Sequence, residues 1–294
     1  MAVQITSLVE DYSRYLKAFE LFLERSSEHQ SMRDFIHRTL PDVLTTYVHT
    51  HTHTHTLYIV VPHKQIKKKV CNRYYEPGYT GIVCADLLPG PPSSNYLYLY
   101  KILVSKTPGL DHITFRFNKM TASEFESEWK QRNTDRKLDF IHMIQMLYYV
   151  NDPEATVSFF RSLLHKDGKL LIILVSGQSG WGRLWRTYRA QLCKSDISQC
   201  VTTGDIRNFM DAKGIPYQSH TLPSQMDITE CFTAGDEKGE LLLDFLTEVL
   251  EFSKSASPEL KAGVLELLKH PECSREVDGR IIFNNNLEAL VLTP

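Results

Sequence analysis

The stretch that most limits what this chain can become is Lys169–Val175, in which six apolar residues follow one lysine without interruption. A run of that length suits a strand better than a helix, and a strand without a polar side has no face to turn to water. Such strands belong to parallel sheets covered on both faces. The neighbouring segments agree. Ile113–Phe117 alternates as a strand, and Ser123–Gln131 reads as a helix. Leu138–Leu147 reads as a buried strand with a loop at its end. Asp152-Pro153-Glu154 carries helix-start chemistry, Thr156–Leu164 follows with an apolar face, and Asp167-Gly168 reads as a turn. Trp181–Leu192 and Thr203–Ala212 are expected helices, the second closed by Lys213-Gly214, and Tyr217–Leu222 is an expected strand. Strand and helix thus alternate at short range. The expected fold class is α/β, a doubly wound parallel sheet.

The flanks are helical. Leu8, Tyr15, Phe19, Phe22 and Leu23 recur at helical spacing among charged residues. Asp34–Leu40 reads as a second short helix, stopped by Pro41. Leu241–Phe252 and Pro258–Leu268 add two more. Arg280–Phe283 and Leu287–Leu292 flank Asn284-Asn285-Asn286, either as a terminal strand or as a hairpin across a tight turn.

Between these ordered regions lies a perfect His-Thr alternation, His49–Thr56, running into Leu57–Val61. In an extended chain His49, His51, His53 and His55 project from one face, which suits zinc, copper or nickel. No carboxylate or cysteine lies nearby to orient such ligands. A CA repeat in the DNA, read in frame, produces the same alternation, and no metal site is expected. Residues 62–95 show no clear helical or strand period.

Charge and composition exclude several classes. The net charge is -2, and Lys67, Lys68 and Lys69 form the one tight basic cluster, so no field points to nucleic acid. The six cysteines form no CxxC pair and fit no zinc module; they read as reduced thiols of a cytoplasmic protein. No signal pattern opens the chain, and no apolar run is long enough to cross a membrane. Walker and Gly-x-Gly-x-x-Gly motifs are absent, and Gly177-Gln178-Ser179-Gly180 lacks the order of a nucleophile elbow.

Open α/β sheets bind ligands at the carboxyl ends of their strands. Gln145, Tyr148 and Tyr149 lie at one such end, and Ser176, Gly177, Ser179, Gly180, Trp181 and Trp185 follow the next. Two tyrosines and two tryptophans there could line an aromatic pocket for a cationic or aromatic amine. The competing reading is that they are ordinary core and surface aromatics. Glu28 could pair with an ammonium group or be a solvated helix-end glutamate, and Asn285 could bind a ligand or serve its turn.

Several longer runs carry a resemblance. Ser7-Leu8, Tyr15, Phe19, Phe22-Leu23, Ser26–Gln30, Asp139–Val150 and Val175–Trp181 resemble the histamine N-methyltransferase family, as do Met226–Phe232, Asp244–Glu248 and Phe283–Leu287. The likeness covers residues 1 to about 45 and about 98 to 294, and the Asp139–Val150 run is the most specific. It implies a single class I methyltransferase (Rossmann-like) domain, acting as a cytoplasmic monomer. It also implies methyl transfer from S-adenosylmethionine to the ring nitrogen of histamine distal to the side chain, with no catalytic side chain and no metal. Carried over residue by residue, Glu28, Gln145 and Asn285 would hold the amine and imidazole. Tyr15, Phe19, Tyr148, Tyr149, Trp181, Trp185 and Phe245 would wall the pocket, and Ile144 and Ala122 would contact the cofactor. Residues 1–45 would contribute helices to the substrate pocket, 98–222 the core of the sheet, and 223–294 substrate-binding helices and terminal strands.

The chain also departs from the family. A glycine-rich loop is missing between 46 and 95, Pro91-Pro92-Ser93 stands where an acidic residue precedes Pro-Ser, Tyr96 replaces a glutamine and Ala122 a serine. Glu76-Pro77 comes too early to substitute. Residues 46–97 are therefore expected to be an atypical replacement of the cofactor loop, with the sheet incomplete and poorly packed over 46–95. The alternative to an active enzyme is an inactive isoform, or a mis-assembled gene model, that keeps the amine pocket without binding the cofactor.

Overall fold

Ten α-helices and ten strands follow one another along the described residues of a computed structural model, which are 5–45, 56–61, 80–85, 114–133, 135–192 and 199–294. The helices are α1 (Tyr12–Arg25), α2 (Glu28–Asp34), α3 (Leu40–Thr45), α4 (Ala122–Arg132), α5 (Pro153–Ser162), α6 (Gly180–Leu192), α7 (Thr203–Lys213), α8 (Glu237–Thr247), α9 (Phe252–Ser255) and α10 (Pro258–Lys269). The strands are β1 (Thr56–Val61), β2 (Thr80–Ala85), β3 (Thr114–Lys119), β4 (Leu138–Ile144), β5 (Leu164–Val175), β6 (Tyr217–Leu222), β7 (Gln225–Asp227), β8 (Ser274–Val277), β9 (Arg280–Asn284) and β10 (Leu287–Leu292). The His49–His55 repeat, Lys67–Lys69, Glu76-Pro77, Pro91-Pro92-Ser93 and Tyr96 lie outside the described residues.

Two compact units are woven from separate parts of the chain. The first comprises Met1–Met32, Val175–Asp205 and Thr221–Glu288; the second comprises Arg33–Leu174, Ile206–His220 and Ala289–Pro294. The second unit holds nearly all of a seven-stranded sheet of order β3-β2-β1-β4-β5-β10-β6. Pairing from β3 through β5 is parallel throughout. The chain builds β1, β2 and β3 outward in one direction, then returns to lay β4 and β5 on the other side of β1. That reversal is the switch point of a doubly wound sheet, where ligands sit at strand carboxyl ends. The predicted apolar strand explains the arrangement: Leu170–Val175 are all buried, as are all six residues of β10. The first unit has a three-stranded sheet, β7-β9-β8.

The expectation of a sheet left incomplete over 46–95 is corrected. Two strands from inside that stretch, β1 and β2, occupy adjacent positions in it, β1 pairing with both β2 and β4. Leu57–Val61 has the β-branched and aromatic content of a strand, and a parallel partner on each side accounts for its apolar run.

Asp167-Gly168 does not end an element either. It lies inside β5, where the register jumps from Leu138↔Leu164 to Phe140↔Lys169. The turn signal marks a bulge in a continuing strand. A Cβ at Gly168 would stand 2.8 Å from the Leu138 carbonyl oxygen, so only glycine permits the approach. Pro41 does not stop the helix before it. A π turn over Phe35–Thr39, closed by the Leu40 N–H on the Phe35 carbonyl, leads into α3 with Pro41 as its second residue. At the start of a new helical segment a proline gives up no needed hydrogen bond.

The helix expected over Leu241–Phe252 begins earlier and stops at Thr247, because Glu248 takes a left-handed backbone with φ 57°. The hairpin alternative for the C-terminus also falls, since β9 and β10 enter different sheets. The hairpin is one step upstream, β8 to β9 across Asp278-Gly279, both with positive φ, the signature of a tight hairpin turn. The reading of reduced thiols is corrected at Cys200, which is disulfide-bonded, while Cys231 and Cys273 are free and buried. No helix among the described residues is long and apolar enough to cross a membrane.

One polar side chain sits deep in the sheet. His142 of β4 is 1% exposed, and neither ring nitrogen has a hydrogen-bond partner among the described residues. Burial pushes its pKa down to about 4, from an ordinary 6.5. The folded protein thus refuses a proton that the unfolded chain accepts below pH 6.5. Stability is complete above that value and declines towards pH 4, by roughly 3 kcal/mol across the window. Denaturant midpoints measured from pH 7 to pH 4.5 should fall accordingly, and His142→Leu should flatten the fall. An equally steep fall in the variant would remove His142 as its origin.

Candidate active site

Helix α1 begins at Asp11, whose carboxylate accepts the Arg14 N–H at 2.9 Å, and its buried face carries Tyr15, Phe19 and Phe22. The spacing of four and three residues stacks these rings along one stripe, with centroids 6.0 Å and 6.3 Å apart. Phe245 of α8 leans on all three, 6.3 Å from Tyr15, 5.8 Å from Phe19 and 4.8 Å from Phe22. Trp181 of α6 closes the group, 5.7 Å from Phe245, 5.5 Å from Phe22 and 5.3 Å from Trp185. These tilted and offset contacts suit the ring quadrupoles. Five of the predicted wall residues, Tyr15, Phe19, Trp181, Trp185 and Phe245, therefore form one cluster within the first unit.

The polar atoms of this cluster are fixed at the end of α8. Both indole N–H groups donate to the Leu246 carbonyl, at 3.0 Å from Trp181 and 3.1 Å from Trp185. Next to Phe245, the Asp244 carboxylate has no exposed surface; it accepts from Arg14 Nε at 2.5 Å and from the amides of Phe252 at 2.8 Å and Glu251 at 3.0 Å. Burial raises the Asp244 carboxyl above its ordinary pKa, against the pull of Arg14 and these amides. The left-handed turn after α8 is thereby tied back to α1 through its Arg14.

The loop after β5 launches α6. Ser179 Oγ donates to the Ser176 carbonyl at 2.7 Å and accepts the Gly182 N–H at 3.0 Å, acting as the helix cap. The Gly177 N–H donates to Thr203 Oγ1 at 3.2 Å, and that hydroxyl donates in turn to the buried Glu288 carboxylate. A Cβ at Gly177 would lie 2.9 Å from backbone atoms of Gly204, so glycine is required there.

Glu28 and Asn285 lie in the same unit. Glu28 is the first residue of α2 and is 2% exposed, which overturns the reading of a solvated helix end. Asn285 is fully buried between β9 and β10. Its Nδ2 donates to Ser26 Oγ at 2.8 Å and its Oδ1 accepts from Ser224 Oγ at 3.1 Å.

The remaining predicted residues belong to the second unit. Gln145 directly follows β4 with φ 54°, an unusual backbone for a residue with a side chain, and its N–H bonds the Ile173 carbonyl at 2.8 Å. Tyr148 donates its hydroxyl to Gln145 Oε1 at 2.6 Å and stands edge-on to Tyr149 at 6.0 Å. Ile144 is the last residue of β4 and buried; Ala122 is the first of α4, behind the capping box of Thr121 and Glu124. A buried apolar residue beside the switch point fits the uncharged part of an adenosyl donor. The alanine offers packing where a serine would also offer a hydroxyl. The stretch after β1, 62–79, lies outside the described residues.

Three residues of this site were not singled out from the sequence as binding residues. Phe22 was legible, lying three residues after Phe19 on the same helical stripe. Ser26 and Ser224 were not, because isolated serines carry no spacing signal and meet only in three dimensions.

Known proteins resemble this chain in sequence and in fold. A family described as "Methyltransferase domain" matches residues 75–219. Histamine N-methyltransferase of Danio rerio is 58% identical over 294 residues, all of both chains. Histamine N-methyltransferase of Mus musculus is 40% identical over 293 residues, 99% of each chain. A solved structure from Bacillus halodurans, provisionally assigned as a methyltransferase, has a TM-score of 0.50 at 15% identity, covering 85% of this chain and 96% of its own, a likeness of fold.

The Asp244 network yields a test. Asp244→Ala leaves a part-buried guanidinium and two amides without their acceptor, and should cost roughly 3 kcal/mol of unfolding free energy. Urea denaturation of the first unit, followed by tryptophan fluorescence, measures it. A loss under about 0.5 kcal/mol would mean that the pair behaves as a surface ion pair and does not secure α8.

Proposed function

The chain belongs to the histamine N-methyltransferase family, and we propose on that premise that it methylates histamine at the imidazole nitrogen distal to the side chain, as a cytoplasmic monomer using S-adenosylmethionine. The observation that carries the reading is the gathering of Tyr15, Phe19, Trp181, Trp185 and Phe245 into one buried cluster, in a unit that also buries Glu28 and Asn285. A cationic, aromatic amine matches that chemistry at both ends.

Each residue has a role in this reading. The Glu28 carboxylate takes the ammonium group, a charge-assisted contact strengthened by burial. The Asn285 amide and Gln145 hold the imidazole. The rings of Tyr15, Phe19, Trp181, Trp185, Phe245, Tyr148 and Tyr149 exclude water and offer π faces to the cation and the imidazole. Ile144 and Ala122 pack against the cofactor. When bound, S-adenosylmethionine supplies an electrophilic sulfonium methyl; the protein's contribution is position and desolvation, with no side chain taking a proton in the displacement.

An inactive isoform that keeps the amine pocket is the competing reading. Nothing favours it over the enzyme, and the Danio rerio alignment runs the whole length of both chains, residues 46–97 included.

Isothermal titration with S-adenosylmethionine and a labelled-methyl assay on histamine test the proposal together. Micromolar binding and labelled methylhistamine are expected. Heat with histamine but none with S-adenosylmethionine would select the inactive isoform. Glu28→Ala should raise the KM for histamine by roughly tenfold to a hundredfold, the worth of a hydrogen bond to a charged group. An unchanged KM would remove Glu28 from the amine site.

A further inference from the structure

We propose that Ser26 is the positioning residue of the amine site, a single hydroxyl that holds Glu28 and Asn285 in register. The inference rests on the assignment of those two residues to substrate binding.

Ser26 is the residue that ends α1, in extended backbone at φ −92° and ψ 140°, two residues before α2 begins. Its Oγ accepts the backbone N–H of Glu28 at 3.1 Å, which sets the first turn of α2 and so the origin of the Glu28 side chain. The same oxygen accepts Asn285 Nδ2 at 2.8 Å. One atom therefore links two of the site's polar residues, Glu28 and Asn285, although they lie 257 positions apart in the chain (285 minus 28). On the far side of the amide, Ser224 Oγ donates to Asn285 Oδ1 at 3.1 Å.

The Glu28 N–H and Asn285 Nδ2 both donate to Ser26 Oγ, and Ser224 Oγ bonds Oδ1 on the opposite side, so the amide is held at both ends.

Two of its four hydrogen-bonding positions are thereby filled. One N–H on Nδ2 and one acceptor position on Oδ1 remain without a partner among the described residues, on a side chain that is fully buried. A buried amide half-satisfied by protein is set up to complete its bonds with a ligand.

The clamp itself is anchored independently of any ligand. The Ser27 N–H bonds the Gln225 carbonyl at 3.0 Å, and the Gln225 N–H bonds Ser27 Oγ at 2.9 Å. Asn286 Oδ1 accepts the Ser224 N–H at 2.8 Å. The three loops that meet at Asn285 are thus locked to one another before an amine arrives, which lowers the ordering cost of binding.

Titration calorimetry with histamine and steady-state kinetics test the inference on the full chain, using Ser26→Ala, Ser26→Thr and Ser224→Ala. Ser26→Ala should weaken histamine about tenfold, the loss of one or two neutral hydrogen bonds. The affinity for S-adenosylmethionine should stay at the wild-type value. Ser26→Thr keeps the hydroxyl on a β-compatible residue and should restore most of the affinity. Ser224→Ala should weaken histamine less, and gives the readout if Ser26→Ala fails to fold. In an Asn285→Ala background, Ser26→Ala should lose most of its effect.

Unchanged histamine affinity in both alanine variants would overturn the inference and leave the assignment of function standing. So would an equal loss of both ligands, which marks a merely structural role. A wild-type chain that binds no histamine would overturn both.

Discussion

A strand with no solvent face has to be covered twice, and that requirement organises the second unit. Leu170–Val175 of β5 is buried throughout, and β10 beside it has no exposed residue. Parallel neighbours need long crossovers, and crossovers place helices on the two faces. A chain that covers both faces must at some point reverse its direction of travel across the sheet. Here it does so between β1 and β4. The crevice for a ligand at the strand ends is a topological consequence of burying those apolar residues. Gln145, with its positive φ, lies where β4 ends.

In the first unit the controlling problem is different, since large aromatic rings carry polar atoms that cannot be left unpaired. One carbonyl, that of Leu246, serves both indoles. With those N–H groups committed, Trp181 and Trp185 present π faces rather than donors. Asp244, two residues earlier, gathers Arg14 and the amides of Glu251 and Phe252. A buried carboxylate with three donors is costly to lose and specific in what it fixes. It holds α8 against the helix that contributes Tyr15, Phe19 and Phe22, and Phe245 sits between those two anchors.

Period and composition made much of this visible in advance. The bounds of β6 match the strand expected over Tyr217–Leu222, and the cap of α5 at Asp152 was legible because helix-start chemistry is local. The aromatic stripe of α1 was legible for the same reason. Misreadings arose wherever a local signal meets a tertiary partner. Asp167-Gly168 is a turn by composition, yet β4 holds both sides of it in one strand. Pro41 breaks helices, except after a π turn. Arg280–Asn284 and Leu287–Leu292 look like hairpin arms, and burial draws one to each sheet. Ser26 and Ser224 carried no spacing signal of their own, since the partners of their hydroxyls lie far away in the sequence.

The departures from the family pattern lie within 46–97 and at Ala122. Hydrogen bonds with residues of the first unit orient Asn285, Trp181, Trp185 and Asp244; the partners are Ser26, Ser224, Leu246, Arg14, Glu251 and Phe252. A change within 46–97 bears directly on β1 and β2 and, through strand pairing, on β4. Gln145, Tyr148 and Tyr149 follow β4, which pairs directly with β1, so β1 and the strand that leads into these three residues share one stretch of sheet.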